Sequence, residues 1–482
     1  MKSILTLQLL PLIGALIMFL LPRKRFELAG IAAFLFAVAE FVLAFKLMPL
    51  SPELSLPTGL GVTLVFAFDT LSAITVLVLS GATAIAILYS LYMKQYPERT
   101  PSFYSMILLV LFGTTGVALA RDLIQFYVLW EAMLIPAWVL VINWNEDMSR
   151  ARYTGMKFFI ITHIGAVLML ASILWIMTVT GATNMAEVSA ALSALPAATV
   201  TIMAILFLAG FIVKLAIFPF HTWLPDAYTS SVMPVTLILV GVMTNIGVYG
   251  MARFLPFFPP DATAALSYPL MVAAVVTMFY GGILALVEKN AKKIVAYSSI
   301  SQMGYVLFGF ATLLPMGMAG SVFNIINQAA TKLTLFMCLG LVFEYAGTQR
   351  IDELGGWAKR LPFAAIFSTA SVLSLVGAPP MVGFWPEVLT FSAAFAYGNY
   401  TLAALGLVAT VISAAYGLRL IRMVFFGPMQ AKQDGPVFTM RWTSYSAVTL
   451  SMISLFVMGV YPSIAFNAVR KAIATLGFFL AG

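Results

Sequence analysis

Cysteine occurs once in the 482 residues, at Cys338, and histidine twice, at His163 and His221. So few thiolates and imidazoles exclude iron–sulfur clusters and structural zinc, and leave only a haem held by both histidines as a conceivable centre. The chain is expected to carry no redox cofactor and no metal of its own. Charge is also scarce: 9% of residues are Asp, Glu, Lys or Arg, against about 25% in a soluble domain. With 62% hydrophobic residues and a mean hydropathy of +1.01, the chain cannot cover a water-facing surface. Polar stretches around 144–155, 346–361 and 428–442 are each too short for a soluble domain.

What is present is a series of apolar runs. A spanning helix needs about 20 apolar residues. That ruler gives fourteen, starting near 4, 27, 70, 103, 122, 156, 199, 233, 268, 294, 318, 362, 400 and 443. The fold expected is an all-α polytopic membrane protein. The opening MKSILTLQLLPLIGALIMFLLPRKR has its stronger basic cluster after the apolar run and no small-residue cleavage site, so it reads as a first spanning helix and not a signal peptide. A last apolar piece, 464–480, is interrupted by Arg470 and Lys471 and is expected to lie along the surface.

Basic residues test the count, because cytoplasmic loops attract Lys and Arg. Eighteen of the 26 fall in loops after odd-numbered helices, among them Arg150, Arg152, Lys157, Lys292, Lys293, Lys359 and Arg360. Six lie in the even-numbered loops and at the ends, and two, Lys214 and Lys332, lie inside helices. This asymmetry predicts a cytoplasmic (inner) membrane protein with both termini outside. It also accounts for the net charge of +8 without a nucleic-acid partner.

Two helices are interrupted, the seventh at FPFHTWLPDAY and the twelfth at GAPPMVGFWPE. They stand five helices apart, and consecutive units of an odd number of helices must sit in opposite orientations. The pattern predicts inverted repeats over helices 4–8 and 9–13, each with its fourth helix broken, the arrangement that places an ion site at the midplane of secondary transporters. Two unrelated proline kinks are the alternative. The corresponding division is 1–100 for helices 1–3, 103–255 for the first repeat, 268–427 for the second, and 428–482 for helix 14 and the tail.

Ionisable groups deep in a helix cost roughly 2.5–3.5 kcal/mol each and are functional candidates by default. Four stand out: Glu131 in IQFYVLWEAMLIPAW, Lys214 in FIVKLAIF, Lys332 in NQAATKLTLF and Glu387 in GFWPEVLTF. Static pairs holding helices together are the competing reading. Glu40, Asp69 and Glu344 lie in the second helix or near helix ends and read as structural. A buried amine holds its proton loosely and recovers it when a carboxylate approaches. For an ammonium and a carboxylate about 7 Å apart at an effective dielectric of about 20, the attraction is on the order of 2.4 kcal/mol. That matches the roughly 2.3 kcal/mol needed to lift a proton against 100 mV. His221 either passes protons onward from Lys214 or is a structural histidine. Asn245, Gln302 and Gln328 do not titrate and would order a water chain between the two lysines.

The run KLAIFPFHTWLPDAY, with LWEAMLIP before it and KKIVAYSSISQMGY after it, resembles the antiporter-like subunits of respiratory complex I, closest to the M-type subunit. Mrp-type antiporters and membrane-bound hydrogenases share the family. The resemblance runs from about 60 to 430 and implies fourteen helices with inverted repeats. By motif, Glu131 matches the fifth-helix glutamate, Lys214 the seventh-helix lysine, Lys332 an eleventh-helix lysine, and Glu387 the twelfth-helix glutamate of M-type subunits. Asn245, Gln302 and Gln328 depart from the family, standing where lysine or histidine is usual. The function implied is a proton-translocating subunit of a complex-I-like oxidoreductase. It would be embedded in lipid among other membrane-arm subunits and a peripheral redox module that carries the iron–sulfur, flavin or NiFe centres. An Mrp-type Na⁺/H⁺ antiporter subunit and a non-pumping structural subunit are the alternatives.

Overall fold

Hydrocarbon offers a backbone no hydrogen-bond partner, so a chain this apolar must close its N–H and C=O groups within helices. The computed structural model describes residues 2–22, 24–57, 63–91, 100–428 and 442–476. Arg23, Lys94, Arg99, Lys432 and Arg441, counted above among the loop cations, lie outside these residues, as does the end of the last apolar piece. Thirteen helices among the described residues are long and apolar enough to cross a membrane. The first to sixth crossings are Lys2–Leu20, Phe26–Leu47, Thr70–Ser90, Thr100–Leu119, Leu123–Asn143 and Met148–Thr180. The seventh is Ala197–Lys214, continued after an unwound stretch by Trp223–Ser230; the eighth runs from Met233 to Phe254 through a π-helical turn at Leu239–Met243. The ninth to eleventh are Pro260–Val287, Ala291–Ala311 and Pro315–Ala346. The twelfth comes in two short halves, Pro362–Leu375 and Phe384–Ala396. The thirteenth, Tyr400–Ile421, ends in a second π-helical turn, Arg422–Phe426, and the fourteenth is Trp442–Val460.

The protein is a polytopic all-helical membrane protein, with one small exception among the described residues. Glu53–Pro57 and Thr63–Ala67 pair as an antiparallel hairpin between the second and third crossings, a feature the helix ruler passed over. The amphipathic helix Ser463–Thr475 buries Ala465, Val469, Ala472 and Ile473 and leaves Arg470 and Lys471 exposed. It lies on the third and eleventh crossings.

Several helices start earlier than the apolar ruler suggests, because a polar first turn is still helical when it is capped. Asp147 accepts the Ser149 N–H at 3.0 Å, so the sixth crossing begins at Met148 and not near 156. Asn290 accepts the Lys293 N–H at 3.0 Å and opens the tenth. Two lysines read as loop cations are thereby drawn inside. Lys157 pairs with Asp226 at 2.6 Å. Lys292 is fully buried and bonds Glu146 at 2.7 Å and the Ser231 carbonyl at 2.5 Å. Both tie the sixth and tenth crossings to the second half of the seventh.

The eighth, tenth and eleventh crossings form the buried centre, while the first and second keep much of their surface exposed. At one end of the bundle Asp69 caps the third crossing, accepting the Ser72 N–H at 2.9 Å. It also receives Arg121 at 2.8 Å and Arg253 at 2.7 Å. Burial works against this carboxylate's charge, but the Arg253 and Arg121 guanidiniums outweigh it and hold Asp69 well below the usual carboxylate range. The stability it confers is therefore fully present above the ordinary carboxylate pKa of about 3.9 and fades only well below it. Removing the acid strands two guanidiniums. In a fully buried setting, a pair broken in this way costs about 3–5 kcal/mol. Because the cluster is partly exposed, Asp69→Ala is expected to cost about 2–3 kcal/mol, measured as a lowered thermal midpoint in detergent at neutral pH. An unchanged midpoint would show that the two arginines do not need it.

Candidate functional site

The seventh crossing stops at Lys214, and the hydrogen bonds of the stop define a motif. Leu215 N–H donates to Phe211 O, Ala216 to Val213, Ile217 to Ile212 and Phe220 to Ile217. In the twelfth crossing Val376 donates to Val372, Gly377 to Ser374, Ala378 to Leu373 and Met381 to Ala378. Every partner is shifted by 161 residues. Ala216 and Gly377, matched by that shift, both take positive φ, 54° and 69°, and a cis X–Pro bond follows at Phe218–Pro219 and at Pro379–Pro380. The helices restart at Trp223 and Phe384. The two interruptions are thus one backbone motif used twice and not two unrelated kinks. Within it Lys214 corresponds to Leu375, and Asp226 to Glu387.

Unwinding strips carbonyls of their helical partners, and inside a bundle each must find another. At the second break Gln302, on the tenth crossing, donates to Leu375 O at 3.0 Å. Ser374 Oγ accepts the Gly383 N–H at 3.0 Å. The Thr331 hydroxyl reaches Ser374 Oγ and Asn327 Oδ1, each at 2.9 Å, and Asn327 bonds Asn324 at 2.9 Å. Lys332, the residue after Thr331, has no exposed surface. Its ammonium donates to Ser298 Oγ on the tenth crossing at 2.6 Å, and no carboxylate among the described residues lies within 4.0 Å of it. Glu387 folds back over the break: a side-chain carbon at Gly377 would run into its carboxylate. Tyr305 and Tyr416 lie within its electrostatic reach, and the Tyr416 hydroxyl donates to Ser413 Oγ at 3.3 Å.

The first break is built differently. Lys214 is 2% exposed, and its ammonium sits 5.5 Å from the centre of the Trp130 ring. Glu131 acts on Lys214 through its charge but is not in ion-pair contact with it. The carboxylate turns instead to His163 Nδ1 on the sixth crossing, at 3.3 Å, while its other oxygen is buried without a partner. Phe159 stacks on His163 at 5.2 Å. The eighth crossing separates the two lysines. A Cβ on Gly247 would lie 3.4 Å from Lys214 Cβ, and one on Gly241 would lie 3.1 Å from Leu333, the neighbour of Lys332. Between these glycines Asn245 donates to Gly241 O at 2.9 Å and leaves its Oδ1 buried and unpartnered.

The structure therefore buries Lys214, Asn245, Lys332 and Gln302 and sets Glu387 against the second break. Gln328, buried one turn before Lys332, adds no hydrogen bond to this group among the described residues. His221 packs between Phe218 and Tyr280, at 5.6 and 4.6 Å, on the side of the ninth crossing. Sequence reasoning missed His163, whose signal was a histidine in an apolar helix. It also missed the Lys157–Asp226 pair, where Asp226 in the LPDAY segment was the only hint.

Fold and site define a polytopic helical membrane protein with two broken helices, an ionisable side chain set at each break. The chain belongs to the NADH:quinone oxidoreductase/Mrp antiporter transmembrane family, whose model matches residues 120–413. It is 32% identical to NAD(P)H-quinone oxidoreductase chain 4 of Picosynechococcus sp., covering 86% of this chain and 80% of that protein. It is 30% identical to NADH-quinone oxidoreductase subunit M of Rhodobacter capsulatus, over 75% of this chain and 72% of that protein. Among solved structures it resembles a chain of respiratory complex I from Thermus thermophilus, with a TM-score of 0.88 and 26% identity, covering 99% of this chain and all of that one. A chain of an archaeal membrane-bound sulfane sulfur reductase matches with a TM-score of 0.89 and 26% identity, covering 99% and 98%.

Since Ala216 adopts a similar positive φ, Gly377 is required for the room it leaves Glu387. Gly377→Ala is expected to displace that carboxylate and to destabilise more than Gly398→Ala, where φ is also positive but a Cβ meets nothing. The left-handed conformation alone accounts for about 1–2 kcal/mol, so equal losses in the two variants, read by thermal unfolding, would count against the contact.

Proposed function

We propose that this chain is a proton-translocating, antiporter-like membrane subunit of a complex-I-like oxidoreductase. Electron transfer takes place in partner subunits that carry the redox centres, and this chain moves the ion. It sits in the cytoplasmic membrane with both termini outside, and the two groups of five crossings, 103–255 and 268–427, act as inverted halves. The observation that carries the reading is Lys332: a wholly buried amine held by one hydroxyl, with no counter-ion among the described residues within 4.0 Å. A structural lysine is paired, as Lys292 is with Glu146. An ammonium left without a carboxylate in a dry interior gives no net stabilisation and is kept for another purpose.

In this scheme Glu131 has two partners. Facing His163 it leaves Lys214 against the Trp130 ring with no carboxylate in ion-pair contact among the described residues, and Lys214 releases its proton towards Asn245. Swung towards Lys214, it recharges the amine. Asn245 and Gln302 hold the path's polar atoms in place but carry no proton, so passage beside them runs through ordered water. Lys332 gives its own proton to the Glu387 carboxylate, set against the second break, and the neutral amine then takes up the proton that left Lys214.

The test is ion transport by the intact complex in vesicles. Lys214→Ala, Glu131→Ala and Lys332→Ala should assemble normally and lose transport roughly tenfold or more, a barrier change of about 1.4 kcal/mol or above. Lys214→Arg should fail as well, because a guanidinium does not release its proton. Wild-type transport in the three alanine variants would leave only a structural role for these groups.

A further inference from the structure

The face of the twelfth crossing's first half that turns away from the core is hollowed by small residues. Pro362, Ala365, Ile366, Thr369, Ala370 and Leu373 line a groove of about 530 Å³, closed on one side by Phe426 from the end of the thirteenth crossing. Its lining is almost wholly carbon, since the Thr369 hydroxyl is already given to Ala365 O at 2.7 Å. From Pro362 to Leu373 the groove runs about 16 Å at 1.5 Å per residue, roughly half of the ~30 Å hydrocarbon layer. That is the depth of one leaflet.

The mouth of the groove has the opposite character. The short helix Trp357–Arg360 delivers Lys359 and Arg360 immediately before Pro362. Arg422 precedes Phe426 by about one turn of the π-helical segment. Lys359 and Arg422 are exposed and Arg360 is half-buried. The nearby acids are already engaged, because Asp352 and Glu353 both bind Arg350, at 2.7 and 3.3 Å. None of the three mouth cations forms an ion pair among the described residues. The loops before the twelfth and after the thirteenth crossing both lie on the Lys- and Arg-rich side of the bundle.

We propose that this groove binds one anionic phospholipid, with an acyl chain along Pro362–Leu373 and the phosphate held by Lys359, Arg360 and Arg422. A carbon-lined hollow inside a bilayer loses dispersion contacts unless hydrocarbon fills it, and a basic rim at a helix junction selects an anionic headgroup. The site lies on the outer face of the twelfth crossing and does not depend on the transport reading.

The experiment uses the intact complex in nanodiscs of phosphatidylcholine doped with brominated-chain phosphatidylglycerol. Electron-scattering maps should show bromine in the groove, and native mass spectrometry should show retained phosphatidylglycerol. Each cation removed should weaken retention about fivefold, so the Lys359→Ala, Arg360→Ala, Arg422→Ala triple variant should lose it. Ala365→Phe with Ala370→Leu should displace the lipid while leaving the cations in place. The proposal is overturned if brominated phosphatidylcholine occupies the groove equally well, or if the triple variant retains phosphatidylglycerol. A partner protein's helix in the groove of the wild-type map would overturn it too, and that map decides the matter even where a variant fails to assemble.

Discussion

Inside hydrocarbon every peptide N–H and C=O needs a partner, and this chain twice gives partners up. The seventh and twelfth crossings unwind after Lys214 and Leu375, and each survives because side chains of its own and of a neighbouring crossing cover the gap. Trp223 donates its indole N–H to Val213 O, Thr277 accepts the Phe218 N–H, and Gln302 and Ser374 serve the second break. The arrangement of the buried centre follows from that requirement. The tenth and eleventh crossings must bring Gln302 and Thr331 to the second break, and Lys332, the residue after Thr331, is thereby buried between them.

The interior lysines divide by what holds them. Lys157 and Lys292 meet carboxylates at 2.6 and 2.7 Å and fasten helices together. Lys214 and Lys332 meet an aromatic face and a hydroxyl. A close pair in low dielectric is hard to break, whereas an amine with no carboxylate in ion-pair contact responds to any charge that approaches. The same residue type is therefore held in two different ways within one bundle.

Repetition of the backbone does not repeat the chemistry. At matched positions the first break has Lys214 where the second has Leu375, and Asp226 where the second has Glu387. Asp226 is spent on Lys157, while the longer Glu387 reaches back over its break to Gly377. One copy thus presents a base at its break and the other an acid, so the two breaks differ in chemistry although the chain turns in the same way in both.

The helical membrane architecture, both breaks, and the candidates Glu131, Lys214, Lys332 and Glu387 were legible from the sequence. The reason is physical: hydropathy sets a spanning helix directly, and a charge or a proline inside one is too costly to pass unnoticed. Partnership was not legible. That Glu131 faces His163 and not Lys214, that Lys292 is buried on Glu146, and that Gln302 serves a carbonyl 73 residues away depend on how crossings distant in sequence are rotated against one another. A residue's depth in the membrane is a local property of the chain. Its neighbour across a helix interface is settled only when the whole bundle packs.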